Sequence, residues 1–184
     1  MLCQYVGTTK TDDSFEYKSK FYERFDSAIG RLSYIGVDDV ESKDGNSWKE
    51  LQLKLVEEGQ PDVLIKMSFN SRECVQLVNR LIEADLEKPV ELKFFKGEAE
   101  KNVSLVYQNE KLVPFYATKD NPKDMPQMTS KTDRRGKTTW NSDELMEWIE
   151  EKVNDMFETC KQITISLKTV GEAAQAAETD QDLF

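Results

Sequence analysis

The sequence contains no histidine, and this absence removes the side chain that most often serves as a general base or as a metal ligand. Its three cysteines, Cys3, Cys74 and Cys160, are far apart and include no CxxC spacing. Such a set favours free thiols in a reducing compartment over a zinc site or a disulfide framework. The sequence has no run of about 18 apolar residues, and its start, MLCQYVGTTK, lacks a signal-peptide core. We therefore expect a cytoplasmic protein.

The motifs of common enzyme classes are missing as well. The sequence has neither GxxxxGK[ST] nor GxGxxG. The adjacent carboxylates of residues 38–39 and 57–58 would point to opposite faces of a strand, so neither pair makes an obvious metal site. Serine and cysteine nucleophiles have no histidine to activate them. We predict that the chain has no catalytic residues, no cofactor and no metal.

Lysine and arginine are outnumbered by acids, and the formal net charge is −10. An acidic balance argues at first against a nucleic-acid partner, because binding to phosphates depends on clustered bases. The charge is unevenly distributed, however. Residues 169–184 contain four acids and no base, whereas residues 118–140 contain six bases against three acids. The middle of the chain is therefore the more plausible place for a polyanion to bind.

Two periodicities follow one another along the first two thirds of the chain. IGRLSYIGVDDVES, WKELQLKLVE and VLIKMSF read as three strands, the last two with strict alternation, separated by turns at KDGNS and EGQPD. Residues 71–86 then place apolar side chains at helical spacing, with Asn70 as cap and Glu73 three residues later. VELKFFKG and KNVSLVYQ return to strand character, and NEKLVPFYAT allows a further edge segment.

The predicted order β-β-β-α-β-β is that of the OB-fold, a five-stranded Greek-key barrel that commonly binds oligonucleotides. A different small α+β sheet could give the same order. A second helix is predicted from Ser142 to Cys160, with Asn141 as its cap, and ITISL alternates like a short terminal strand. The fold class is thus mainly β with α: an OB barrel plus an additional C-terminal helix.

The expected organisation has five parts. An aromatic-rich arm without clear period, an edge strand or a swapped element occupies residues 1–28, and the OB core occupies 29–117. A basic loop spans 118–140, the C-terminal helix and short strand span 141–168, and a disordered acidic tail spans 169–184.

The chain ends in ETDQDLF, which combines carboxylates with an apolar terminus. Such a tip can place its ring in a pocket while its carboxylates meet bases around the rim. Here the chain resembles the single-stranded DNA-binding proteins of bacteria and their phages, which join an OB-fold to a flexible linker and an acidic tip ending in Phe. The phage type is the nearer match, because the bacterial tip has more aspartates and a Pro before Phe. The resemblance implies that partner proteins bind Asp180, Asp182, Leu183 and Phe184.

Unpaired bases need exposed rings for stacking, and the phosphates need cations. The alternation of the strands directs Trp48, Lys54, Lys66, Lys93 and Phe95 away from the predicted core. Core packing or cover by the N-terminal arm would account for the same rings. The full set of predicted nucleic-acid-binding residues is Arg31, Tyr34, Trp48, Lys54, Lys66, Lys93, Phe95, Lys96, Tyr107, Tyr116, Arg134, Arg135, Lys137 and Trp140.

The sequence therefore predicts a protein, of phage origin, that binds single-stranded DNA without sequence specificity during replication, recombination or repair, in the cytoplasm of a bacterial host. Its acidic C-terminal tip would contact replication or recombination proteins. A homo-oligomer is compatible with the sequence. An acidic adaptor or DNA-mimic inhibitor is the alternative favoured by the net charge. A third hypothesis is that the chain is an RNA-binding OB module.

Overall fold

The structure is a computed structural model, and it describes residues 2–7, 14–17, 20–25, 27–97 and 101–181. Its largest element is a six-stranded antiparallel sheet in the order β6-β5-β4-β7-β8-β9. The strands are β4 (Ser27–Glu41), β5 (Ser47–Val56), β6 (Val63–Ser68), β7 (Val90–Lys96), β8 (Asn102–Gln108) and β9 (Lys111–Leu112). The prediction of a mainly β protein with a C-terminal helix is confirmed at this level.

The long strand β4 belongs to both halves of the sheet. Its first residues, Ser27–Gly30, pair with β7, and residues 31–41 pair with β5. The change of partner occurs at Gly30, where a Cβ would lie 3.0 Å from the backbone oxygen of Val56. Glycine permits this close approach between β4 and β5. The sheet can therefore curve around a single core.

The core consists of the inward side chains of the two half-sheets and of both helices. The predicted alternation of β5 is confirmed, because Leu51, Leu53 and Leu55 are buried. In β7 the same period buries Val90, Leu92 and Phe94. Burying a side chain of this size stabilises the fold by about 1.5–3 kcal/mol. The hydrophobic effect thus accounts for the register of these strands.

Helix α1 (Arg72–Leu81) follows β6 and packs on β8. Its N-cap is Ser71, whose hydroxyl accepts a hydrogen bond from the Cys74 N–H at 3.1 Å, so the prediction of Asn70 as cap is wrong by one residue. The helix also ends five residues before the predicted end at residue 86. Its C-cap is Ile82. Beyond the helix, the Asp85 carboxylate accepts from the Glu87 N–H and the Asp85 N–H donates to Gln108 of β8, which fixes the turn that follows.

Two buried polar residues of α1 hold the segment after β9. Asn79 donates to the carbonyl of Ala117 and accepts from its N–H, at 2.8 and 2.9 Å. Arg80 donates to the carbonyl of Val113, and its guanidinium lies 3.8 Å over the ring of Phe115. Burial lowers the pKa of Arg80. Residues 113–117 therefore have a fixed path across α1.

Residues 118–140, predicted as a basic loop, contain a hairpin of β10 (Thr129–Thr132) and β11 (Thr138–Asn141). Asp133 organises its turn, because its carboxylate accepts from the N–H groups of Arg135 and Lys137 at 2.8 and 2.9 Å. Gly136 adopts φ 79°, a conformation that favours glycine. Local turn chemistry thus forms the hairpin without an apolar core.

Helix α2 (Asp143–Gln181) packs against β4 and α1. Asn141 accepts from the Asp143 N–H at 2.8 Å, as expected for a residue at the start of this helix. The prediction of a strand over residues 163–167 is wrong, because this segment belongs to α2. The helix continues to Gln181, and the disorder expected for residues 169–184 stays a prediction. The hydroxyls of Thr164, Ser166 and Thr169 donate to carbonyls four residues earlier, which satisfies these side chains inside a helix.

The N-terminal residues, predicted as an arm without regular period, form three strands: β1 (Leu2–Gly7), β2 (Ser14–Tyr17) and β3 (Lys20–Phe25). They pair antiparallel in the order β1-β3-β2. Strand β4 begins at Ser27, two residues before the predicted start of the core. Among the described residues, no helix has both the length and the apolar character needed to cross a membrane.

Candidate nucleic-acid interface

A groove of about 580 Å³ lies between β6 on one side and β7 with β8 on the other. We call it the strand groove. Three of the predicted residues line it: Lys66, Phe95 and Lys96. The other lining residues come from the same strands and from the start of α1: Ile65, Met67, Ser68, Ser71, Glu73, Phe94, Asn102 and Val103.

The strand groove combines a ring with cations because two alternating strands border it. In β7, Phe94 is buried in the core while its neighbour Phe95 is 42% exposed. In β6, Ile65 is buried and Lys66 is exposed. Lys96 lies opposite Asn102 in the β7–β8 register and is also exposed. An exposed phenylalanine in a groove that lysines also line is the combination that base stacking and phosphate contact require.

The charge of the strand groove is positive. Its lining contains two lysines and a single acid, Glu73. Glu73 accepts a hydrogen bond from the side-chain amide of Asn102, which ties the start of α1 to β8. The formal charge of the groove lining is therefore positive, whereas the net charge of the whole chain is −10.

Four other predicted residues lie on the strands outside this groove. The Lys93 ammonium is 4.8 Å from the centre of the Tyr107 ring and 3.1 Å from a carboxylate oxygen of Glu91. Lys54 forms a 2.6 Å ion pair with Asp62. Trp48 is 42% exposed, and its indole N–H donates to Glu50 at 3.0 Å. Neighbouring carboxylates thus partly neutralise Lys93 and Lys54, which makes these two lysines weaker phosphate contacts than Lys66.

The structure places Arg31 and Tyr34 against α2 rather than beside the strand groove. The Tyr34 ring meets Phe157 edge-on, with 5.6 Å between ring centres, and burial raises its pKa. The Arg31 charge acts on Cys160, where it opposes the larger effect of burial, which raises the pKa of that thiol to about 11. One Arg31 nitrogen is buried without a hydrogen-bond partner among the described residues.

Tyr116 belongs to a different cluster at the α1–α2 contact. Its hydroxyl donates to Asp124 at 2.6 Å, and the Trp148 indole N–H donates to the other oxygen of Asp124 at 3.3 Å. The Lys123 ammonium lies 3.8 Å from the centre of the Tyr116 ring. The hydrogen bond to Asp124 raises the pKa of Tyr116 and lowers that of Asp124. Tyr116 therefore already has a cation over its ring and an acceptor for its hydroxyl.

The hairpin β10–β11 carries the remaining predicted residues. Every residue from Thr129 to Asn141 is exposed, and Trp140 is 64% exposed. We call this element the basic arm, since Lys131, Arg134, Arg135 and Lys137 all belong to it. Within the described residues none of these four bases forms a salt bridge. Their contact with nucleic acid stays a prediction.

At the C-terminal tip, Asp180 belongs to the last turn of α2. Asp182, Leu183 and Phe184 lie outside the residues that the structure describes. Their proposed contact with partner proteins is likewise still a prediction.

Sequence reasoning missed a second groove, of about 940 Å³, between the end of α1 and α2. We call it the helix groove. Its signal was present in the helical spacing of Met156, Ile163 and Leu167, but the alternation within ITISL favoured a strand. The lining residues are Ile82, Ala84, Asp85, Leu86, Glu87, Tyr116, Lys152, Asp155, Met156, Thr159, Gln162, Ile163, Ser166 and Leu167.

In the described ranges no three acidic, cysteine or histidine side chains converge as a metal site would require. Comparison of the chain with protein-family models, with curated proteins and with solved structures finds no match. Function must therefore be argued from the geometry of the chain itself.

Proposed function

We propose that this chain binds single-stranded DNA without sequence specificity in replication, recombination or repair, and that its acidic C-terminal tip recruits partner proteins. The exposed Phe95 ring, which lines the strand groove together with Lys66 and Lys96, is the observation that carries the proposal. Every base has a π face, so a ring in a cationic groove binds single strands of any sequence. The bases of double-stranded DNA are already stacked on one another, and the ring would have no partner there.

The strand order supports an OB-fold as the framework of this site. Strands β4, β5 and β6 form a meander, α1 follows, and β7 then returns to pair with β4 before β8 is added. A strand that returns to lie beside the first strand of a meander is a Greek-key connection. In a partly open five-stranded barrel the space between β6 and β8 would be the opening, and the strand groove lies at this position.

Acidic composition elsewhere is compatible with this function. The sequence-independent part of DNA binding depends on the cations near the phosphates and not on the net charge of the protein. The acids of residues 169–184 would repel a bound strand and leave the tip accessible to a basic surface on another protein. The strand order and the acidic tip are also the grounds on which we propose that the chain is similar to phage-type single-stranded DNA-binding proteins.

The test is a titration of a fluorescently labelled thymidine oligomer with the wild type and with Phe95→Ala. Stacking contributes about 1–3 kcal/mol per base, so the substitution should weaken binding by about 5- to 150-fold. The matched control is Leu112→Ala, because Leu112 is 46% exposed on the far edge strand β9. This control should change affinity by no more than about twofold.

Two results would count against the proposal. If the wild type does not bind the oligomer even at low salt, the chain is not a single-strand binder and the adaptor or DNA-mimic alternative gains. If Phe95→Ala and Leu112→Ala bind equally well, the strand groove is not the site. Stronger binding to a uridine oligomer than to thymidine would point to RNA as the ligand.

A further inference from the structure

The helix groove has an apolar floor and an acidic rim. Ile82, Leu86, Met156, Ile163 and Leu167 supply the apolar surface, and Leu167 is 51% exposed. Asp85, Glu87 and Asp155 stand among them, against a single base.

One of these three acids is neutralised by a neighbouring base, and the other two have no ion pair among the described residues. Asp85 pairs with Lys88 at 2.7 Å, and the one base of the lining, Lys152, lies 3.6 Å from Asp124. Glu87 and Asp155 form no salt bridge with the residues that the structure describes. The groove is therefore suited to a ligand with apolar side chains and positive charge, and it would repel nucleic acid.

The basic arm of this same chain has that chemistry. It presents Arg134, Arg135 and Lys137 at its turn without salt bridges among the described residues, and it adds the exposed ring of Trp140. Met128, next to the hairpin, is 54% exposed. Charge and apolar surface are thus complementary between two surfaces of one protein, each exposed to solvent.

The arm does not occupy the groove of its own chain. It ends at Asn141, just before the first turn of α2, whereas the groove begins at Lys152 and extends to Leu167. At 1.5 Å per residue along a helix, these positions lie about 14 and 36 Å from Asp143. In the structure the arm residues stay exposed.

We propose that the basic arm of one molecule docks in the helix groove of a second copy of the chain. Because the arm and the groove are different surfaces, the contact is heterologous and leaves a free arm and a free groove at the ends of each pair. Such a contact continues from molecule to molecule. It would give a row of proteins, and the contact itself needs no nucleic acid.

A hairpin in a groove is a small interface, so the association should be weak and dependent on salt. The test is sedimentation velocity of the full chain without nucleic acid, from about 5 to about 200 μM at low salt, the range in which a small interface would assemble. The weight-average sedimentation coefficient of the wild type should rise with concentration.

Charge reversal on either surface should abolish this rise. The arm variant is Arg134→Glu with Arg135→Glu, and the groove variant is Glu87→Lys with Asp155→Lys. Each should weaken association at least about tenfold, because like charges then face each other. The control for the arm variant is Lys43→Glu with Lys111→Glu, which makes the same change in net charge at exposed sites outside both surfaces and should associate like the wild type.

An equimolar mixture of the arm variant and the groove variant gives the sharpest result. In that mixture the acidic arm fits the basic groove, and the native arm fits the native groove, so association should return. This return also excludes misfolding of either variant. A wild type that stays monomeric, an arm variant that still associates, or a mixture that stays monomeric would each overturn the proposal.

The oligonucleotide titration separates this inference from the proposed function. If the arm variant loses affinity for a short thymidine oligomer but associates normally, the arm is a nucleic-acid contact and the docking proposal is wrong. Failure of oligomer binding by the wild type would leave the sedimentation result unaffected.

Discussion

The strand groove and the helix groove lie at opposite ends of one short helix and have opposite character. The strand groove borders the first turn of α1 and combines Phe95 with lysines. The helix groove borders the last turn of α1 and combines aliphatic side chains with carboxylates. The ten residues of α1 span about 15 Å. A chain with a net charge of −10 can therefore keep a cationic site by confining its acids to other surfaces.

The comparison also indicates which surface suits which partner. A groove with an exposed ring and lysines meets the requirements of an unpaired nucleotide strand, whereas an apolar floor with acids meets those of a basic protein segment. The exposed basic arm supplies such a segment within the same chain. The two grooves need not compete for one ligand.

The largest expected effect comes from breaking the element that both grooves share. Leu77 of α1 is fully buried in the core. Leu77→Ala should lower the free energy of unfolding by about 2–5 kcal/mol, because it removes buried apolar surface and leaves a cavity. Urea denaturation followed by circular dichroism measures this loss.

Leu112→Ala on the exposed edge strand is the control for this loss and should change stability by no more than about 0.5 kcal/mol. A Leu77→Ala variant as stable as the wild type would mean that α1 does not support the two grooves as the structure describes.

A smaller effect sharpens the contrast between the grooves. Lys66 lines the strand groove, and Lys88 pairs with Asp85 beside the helix groove. Each neutralised phosphate of a single strand contributes about 0.7 to the slope of log affinity against log salt concentration. Lys66→Gln should therefore reduce the slope for a thymidine oligomer by about 0.7, and Lys88→Gln should leave it unchanged.

Fluorescence titrations over a series of salt concentrations give both slopes. Equal slopes for the two variants would remove the electrostatic distinction between the grooves.

The strands of the core were predictable because their periodicity coincides with burial. Leu51, Leu53 and Leu55 alternate with polar residues, and a one-residue slip would expose all of them. The same alternation located Phe95 and Lys66, which the structure brings together in the strand groove. These are cases in which local pattern and tertiary packing agree.

The rest depended on tertiary contacts that a local pattern does not contain. Tyr34 alternates like a surface residue, yet α2 covers it through Phe157. ITISL alternates like a strand, yet it continues a helix whose earlier turns pack on the core. The two main sides of the helix groove come from residues 82–87 and 152–167, which are more than 60 positions apart, and only the packing of α1 beside α2 brings them together.

The central claim is that the strand groove holds unpaired bases, and photo-cross-linking tests it most directly. A thymidine oligomer of about 16 nucleotides is irradiated with the wild-type protein and the modified peptides are located by mass spectrometry. We expect the cross-link within the segment of Phe94–Lys96, with none in Ile82–Glu87 of the helix groove. Cross-links confined to the helix groove or to the basic arm, with Phe95 unmodified, would contradict the claim.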